Sequence, residues 1–293
     1  MITHPLFIDL YQIFGEMWTH GFMVRGYVVT LFAAVVCAIL SCWLVLVGWS
    51  LMGDALSHAV VPGVVIAYIF SLPFSVGAFV AALVCVGLIA VIRSTSRIKE
   101  DAAIGVVFTT MMAIGLVLIS VYPSHVHLQH ILFGDLLGIT HEDMVQVVFL
   151  APLAGIIVLL KSRDLTLFAF DPSHASAIGL SVRRLSALLL TCLAITVVVA
   201  MQAVGAILIV SLLIIPGAMA FLCTQKFQHM LWLSPLLSAL SVTLGIYLSY
   251  WFNMASGATV VAVHGIVFSI IYLVSPMGLR SIRGLKASAV IDI

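Results

Sequence analysis

Long apolar runs, separated by short polar segments, fill most of the 293-residue chain. Nine of them approach the ~20 residues that a helix needs to cross the ~30 Å hydrocarbon core of a bilayer. Closely spaced runs can be parts of one broken helix. The pattern therefore predicts an all-α, polytopic membrane bundle of eight or nine transmembrane helices. The runs lie at 25–50, 55–72, 74–92, 102–121, 144–160, 185–201, 203–222, 231–252 and 258–275.

The composition supports the same class of protein. Hydrophobic residues make up 63% of the chain and charged residues only 8%, whereas soluble domains have about 25% charged residues. A net charge of +1 gives no indication of nucleic-acid binding. The five cysteines form no Cys-x-x-Cys pair, and we expect them to pack as small apolar side chains.

Basic residues predict the orientation, because they are enriched in cytoplasmic loops. An even number of predicted spans separates each successive basic segment, so all four can be cytoplasmic. Residues 1–24 are then an outer, interfacial N-terminal segment, and residues 162–184 and 277–293 form a cytoplasmic loop and tail. The basic segments contain Arg93, Arg97 and Lys99; Lys161, Arg163, Arg183 and Arg184; Lys226; and Arg280, Arg283 and Lys286.

An acid and an imidazole stand at the start of the second run, in the segment MGDALSHAVVPG (52–63). Asp54 and His58 are four residues apart and share one helix face. A carboxylate and an imidazole there could supply half of a site for manganese, ferrous iron or zinc. Two alternatives remain: Asp54 caps a helix that begins at this point, or the pair relays protons.

Two Pro-Gly pairs occur in corresponding apolar runs, Pro62-Gly63 and Pro216-Gly217. Paired interruptions of this kind point to a transport pathway, so these four residues are candidates for gating or hinge positions. A proline kink that serves only packing is an equally good explanation for Pro216.

The predicted cytoplasmic loop contains a short helix. Asp171-Pro172 is a good helix start and Gly179 a good stop. The chain has no Gly-x-x-x-x-Gly-Lys-Ser/Thr sequence, so it does not bind ATP by that route.

On the predicted outer side, His125, His127 and His130 lie in the segment HVHLQH. They are candidates for an outer metal contact. Ordinary polar surface, or docking of a receptor, is the favoured explanation of these histidines.

Several segments together resemble the permease subunits of ATP-binding-cassette importers of manganese, iron and zinc, and most of all the iron and manganese branch. The resemblance covers residues 25–275. The segments are GWSLMGDALSHAVVPGVVIAY (48–68), KEDAAIGVVF (99–108), HILFGDLLGIT (130–140), FDPSHASAIGL (170–180) and VGAILIVSLLIIPGAMA (204–220).

The resemblance implies one permease domain over residues 1–293, with the fold of type II importers, in a bacterial inner membrane. Asp54 and His58 would then coordinate the transported ion, manganese or ferrous iron rather than zinc, and the chain itself would bind no cofactor. It also implies three partners: a separate ATPase, an extracytoplasmic metal-binding protein, and a second permease copy or a sister permease. Residues that would couple transport to the ATPase are Asp171, Pro172, Ser173, His174, Ala175, Ile178 and Gly179.

Other functions stay open at this stage. An ion-coupled secondary metal transporter usually needs several intramembrane acids, and only Asp54 clearly adjoins a predicted span. A permease for a metal chelate would have a similar architecture. A membrane metalloprotease is disfavoured, since the chain has no His-Glu-x-x-His sequence.

Overall fold

The computed structural model describes residues 16–122 and 139–275. These parts of the chain contain twelve α-helices and no β-strand, with one short 3₁₀ turn at Glu16–Thr19. The helices are α1 (Gly21–Val47), α2 (Met52–Ala59), α3 (Val61–Ile69), α4 (Phe74–Thr95), α5 (Glu100–Val121), α6 (His141–Leu160), α7 (Ser162–Phe170), α8 (Pro172–Ala177), α9 (Val182–Val204), α10 (Ala206–Cys223), α11 (Phe227–Phe252) and α12 (Ser256–Val274).

Nine segments of the described chain are long and apolar enough to cross a membrane. Eight are single helices, and the ninth, Met52–Ile69, consists of α2 and α3 together. The predicted all-helical, multi-pass membrane bundle is confirmed, with the second apolar run as a broken helix.

Pro62 explains the break between α2 and α3. Pro62 is the second residue of α3, and α3 begins directly after the turn at Val60. A proline has no N–H to donate to the carbonyl four residues earlier, and its ring clashes with that carbonyl, which here belongs to His58. The break at Val60 therefore lies two residues after His58, the second member of the predicted metal-binding pair.

The spans divide into an inner and an outer set. In the most apolar window of α1, the α2–α3 span and α9, 67–72% of the residues are buried, whereas the figure is 22–28% for α4, α5, α6 and α12. Large side chains on the outer set, such as Phe149 and Leu160, are exposed, as expected of helices that face lipid. The α2–α3 span is thus held in the centre of the bundle.

Close backbone contacts hold the inner spans together. A Cβ on Gly63 would lie 2.1 Å from the carbonyl oxygen of Gly77, so only glycine fits where α3 crosses α4. In α10, Gly217 lies directly against Ser41 of α1, and its N–H donates to Ser41 Oγ over 3.0 Å. Both glycines predicted as hinge residues therefore also have a packing role.

Three of the four predicted basic segments fall in described parts of the chain. They follow the third, fifth and seventh spans, so an even number of spans separates them. They therefore emerge at the same end of the bundle, and their assignment to the cytoplasm remains a prediction. The tail 277–293 and most of the N-terminal segment 1–24 lie outside the described residues, as do His125, His127 and His130.

A carboxylate–imidazole pair in a membrane cleft

Helix α2 brings Asp54 and His58 into direct contact. His58 Nε2 lies 3.2 Å from Asp54 Oδ1, and the two side chains are 29% and 34% exposed. Asp54 is the third residue of α2, whose N-cap is Leu51. The alternative in which Asp54 caps the helix is therefore wrong.

The spacing of the pair suits two ligands of one metal ion. Two donors that each lie about 2.0–2.2 Å from an ion, with a donor–ion–donor angle of about 90–109°, are roughly 2.8–3.6 Å apart. The Nε2–Oδ1 distance of 3.2 Å falls in that range. A small shift of either side chain would admit an ion between them.

The pair opens into a cleft of about 400 Å³ between α2 and α10, which we call the α2–α10 cleft. One face of α10 forms most of its wall, from Ala206 to Ile215, so it extends about 14 Å along that helix at ~1.5 Å per residue. The cleft thus leads from the N-terminal end of α10 to the acid and the imidazole. Its lining residues are Asp54, His58, Ala206, Ile207, Val210, Ser211, Ile214, Ile215 and Val261.

Packing around α2 holds His58 in place. Gly53 lies so close to α10 that a Cβ there would be 2.8 Å from Leu213 Cδ1. On α5, the ring of Phe108 lies 6.2 Å from the imidazole of His58, centroid to centroid. His58 Nδ1 is buried and has no hydrogen-bond partner in the described structure. An imidazole with no hydrogen-bond partner at its second nitrogen can adopt either tautomer. Nε2 can therefore be the unprotonated nitrogen that binds a ligand.

The described residues of one copy do not form a complete metal site. Among the described residues, no group of three or more His, Cys, Asp and Glu side chains could hold an ion. A divalent transition metal usually takes four to six ligands. Two protein ligands therefore leave coordination positions for water or for another chain.

The sequence analysis missed Ser211 and His264. The hydroxyl of Ser211 lines the α2–α10 cleft and has no hydrogen-bond partner in the described structure. His264 is fully buried in α12, three residues after cleft-lining Val261, and its Nδ1 lies 3.0 Å from the Val260 carbonyl. A single serine or histidine in an apolar run carries no sequence signal that separates it from packing.

The predicted short helix in the 162–184 loop is present as α8. Asp171 Oδ1 accepts a hydrogen bond from the His174 N–H over 2.9 Å, and Pro172 is the first helical residue. Gly179 follows the helix end with φ +88°, as in many glycine-terminated helices. Ala175 is buried, whereas Pro172, Ser173, His174 and Ile178 are exposed. The same loop contains α7, which the sequence analysis did not predict.

A groove of about 560 Å³ lies beside this loop, between α7 and the start of α11. Its lining includes the exposed basic residues Arg163 and Lys226 and the apolar Phe170 and Leu231. Phe170 directly precedes the α8 cap residue. The groove therefore reaches the residue just before the cap of α8.

The two Pro-Gly pairs differ in structure. Pro62 follows a helix break, whereas α10 continues through Pro216 and Gly217.

Four of the five cysteines are buried and all five are free, which agrees with the expected packing role; Cys223 is exposed.

Comparisons with known proteins agree with this architecture. The manganese transport system membrane protein MntB of Synechocystis is 47% identical over 261 residues, 89% of this chain and 85% of that protein. The chelated iron transport system membrane protein YfeD of Yersinia pestis is 43% identical over 259 residues, 88% of this chain and 87% of that protein.

Among solved structures, PsaBC from Streptococcus pneumoniae in complex with Fab has a chain that matches with a TM-score of 0.83. The two sequences are 33% identical, and the match covers 95% of this chain and 99% of that one. The model of the ABC 3 transport family matches residues 19–275. The chain is therefore a multi-pass membrane protein that belongs to the ABC 3 transport family.

Proposed function

We propose that this chain is the permease subunit of an ATP-driven importer of divalent transition metal ions, and that the ion passes Asp54 and His58. The observation that carries the proposal is the 3.2 Å separation of a carboxylate oxygen and an imidazole nitrogen within a membrane-spanning segment. Ionisable groups in spans are costly and usually mark a substrate path.

The transported ion is manganese or ferrous iron. The names of similar proteins refer to manganese transport and to chelated iron transport. Mixed oxygen and nitrogen donors suit these ions, and also zinc, which we consider the weaker candidate. A bare ion suits the cleft better than a chelated one. In a chelate, the chelator already fills the coordination positions of the ion that Asp54 and His58 would take.

A second permease chain completes the metal site. The Asp54 and His58 side chains are about one-third exposed, and the cleft wall includes apolar Ile207, which is 52% exposed. If a two-fold axis passes beside the cleft, two copies bring two carboxylates and two imidazoles together, since a two-fold interface pairs the same patch on both subunits. A sister permease with the same pair would serve equally.

The energy for transport enters at the α7–α8 loop. The chain has no Gly-x-x-x-x-Gly-Lys-Ser/Thr sequence, so hydrolysis belongs to a separate ATPase subunit. Exposed α8 residues and the neighbouring groove, with Arg163 and Lys226 at its edge, form the docking surface for that subunit. A metal-binding protein would deliver the ion at the opposite end of the bundle.

The break at Pro62 is the proposed gating point. Pro62 lies four residues after His58, in the segment that carries the proposed metal ligands. Rotation of α2 relative to α3 would move the pair and leave most of the bundle unchanged. Gly63, Pro216 and Gly217 remain proposed participants in this movement.

Uptake of radiolabelled manganese and iron by Asp54→Ala and His58→Ala variants tests the proposal. The variants are co-expressed with the cognate ATPase and binding protein, and membrane insertion is measured in parallel. Ser269→Ala is the control, because Ser269 is an exposed residue of α12 that donates to the Gly265 carbonyl and does not line the cleft. We expect uptake to be lost in the first two variants and kept in the control.

Two results would contradict this function. Normal uptake by correctly inserted Asp54→Ala and His58→Ala variants would remove the pair from the path. Uptake that needs a proton gradient but no ATPase would instead indicate a secondary transporter.

A further inference from the structure

The hydroxyl of Ser211, like that of Ser241, lacks the hydrogen bond that several other hydroxyls in the described membrane spans make. Those of Ser57, Thr196 and Thr259 each donate to the carbonyl four residues earlier, over 2.9 Å. This is the usual way to satisfy a hydroxyl in an apolar helix. Ser211 is only 5% exposed, yet its Oγ is buried and has no hydrogen-bond partner in the described structure. Leaving such a group unpaired is unfavourable. The simplest explanation is that Ser211 Oγ forms a hydrogen bond with a ligand when the protein functions.

The surroundings of Ser211 indicate what that partner is. Ser211 lines the α2–α10 cleft with Asp54 and His58, and the other lining side chains are apolar. The acid and the imidazole already contact each other. Ser211 is therefore the remaining polar side chain that the described cleft wall offers to an ion or to its water ligands.

Coordination chemistry gives that hydroxyl a specific use. Manganese and ferrous ions favour six ligands and keep water when few protein ligands are available, whereas zinc is commonly tetrahedral. A neutral hydroxyl is a weak direct ligand but a good hydrogen-bond acceptor for metal-bound water. In the apolar cleft, the loss of that acceptor would leave the water unsatisfied.

We propose that Ser211 Oγ accepts a hydrogen bond from a water ligand of the ion bound by Asp54 and His58, and so favours manganese and ferrous iron over zinc. This inference rests on the proposed function, since it requires an ion at the pair. Ser211 is then a specificity-determining, positioning residue on the wall opposite the ligands.

The first test compares uptake of radiolabelled manganese, alone and in competition with zinc, by wild type, Ser211→Ala and Ser211→Cys. We expect Ser211→Ala to lower manganese uptake about fivefold at limiting manganese, the size of one lost hydrogen bond. We expect zinc to inhibit Ser211→Cys at about tenfold lower concentration than wild type, because a thiolate is a softer ligand. The control is Ser241→Ala, another buried hydroxyl without a described partner but outside the cleft lining.

A second measurement needs no transport activity. In Ser211→Cys protein whose five native cysteines are all replaced by Ala or Ser, a small thiol reagent that enters the α2–α10 cleft probes position 211. We expect manganese ions to slow the labelling in this protein, and to have no effect when Asp54→Ala is added.

The outcomes separate this inference from the proposed function. If Asp54→Ala abolishes uptake while Ser211→Ala keeps wild-type uptake and zinc sensitivity, the role of Ser211 is wrong and the metal path stands. Labelling unaffected by manganese would also overturn it. If Asp54→Ala itself transports normally, the proposed function fails first.

Discussion

At the scale of single residues, the contact between Gly63 and Gly77 lets α3 and α4 cross with their backbones touching. A Cβ on Gly63 would lie 2.1 Å from a carbonyl oxygen, which cannot rotate away as a side chain could. We expect Gly63→Ala to destabilise the protein by about 1–3 kcal/mol, as overpacking usually does. The thermal midpoint of the purified protein in detergent measures this.

Gly87→Ala is the matched control for that prediction. Gly87 lies within α4, where nothing comes within 4 Å of an added Cβ, so alanine should be neutral or stabilise the helix by about 0.5–1 kcal/mol. Equal midpoints for the Gly63→Ala and Gly87→Ala proteins would show that the α3–α4 crossing is not as tight as described.

The residues of the cleft differ in how far the sequence reveals them. Asp54 and His58 were predictable as a pair, because four-residue spacing fixes a common helix face and a charge in an apolar run is rare. Ser211 was not, because its significance depends on which face of α10 meets α2. That contact is decided by side-chain packing at Gly53 and Leu213, which leaves no local pattern.

At the scale of elements, the α2–α3 break should respond to Pro62→Ala. Alanine restores an N–H that can donate to the His58 carbonyl, so the two helices should join into one. We expect a higher thermal midpoint and a several-fold lower uptake rate, because the segment that carries the proposed metal ligands loses its break. Radiolabelled manganese uptake and thermal unfolding check the two effects.

Pro152→Ala controls for the general effect of removing a helix proline. Pro152 lies inside α6, away from the cleft lining, and its removal should leave uptake unchanged. Wild-type uptake in the Pro62→Ala variant would mean that the break serves packing alone.

Helix α8 gives a second prediction at this scale. A six-residue helix is marginal without its cap, and losing the Asp171 cap should cost about 1 kcal/mol. We expect Asp171→Ala to weaken co-purification of the ATPase and to lower uptake, while Asp171→Asn, which keeps a capping oxygen, retains both. A loss of equal size in both variants would point to the charge of Asp171 rather than to the helix.

Sequence patterns predicted most elements, and the exceptions share a cause. Spans follow directly from apolar length, and α8 from its cap and stop residues. The α2–α3 break was an ambiguity, since proline only biases a helix to end. Helix α7 was missed because SRDLTLFAF (162–170) is short and mixes polar with apolar residues, so packing rather than periodicity decides its structure.

At the scale of the whole molecule, the proposal that Asp54 and His58 form half of a metal site predicts where a second copy binds. The cleft wall presents Ile207, 52% exposed, beside the acid and the imidazole. If two copies meet there, a cysteine at this position approaches its equivalent in the other chain. We expect a short bis-maleimide to cross-link Ile207→Cys permeases into dimers in native membranes, in a background with Cys223 replaced by Ser.

Phe149→Cys provides the control, since Phe149 is 70% exposed on the lipid-facing helix α6. It should stay monomeric under the same treatment, because lipid rather than protein covers that face. Differently tagged copies distinguish a homodimer from a pair with a sister permease, which would give a product of another mass. Efficient cross-linking at 149 with none at 207 would move the interface to α6. The carboxylate–imidazole pair would then need its remaining ligands from water or from the delivering protein.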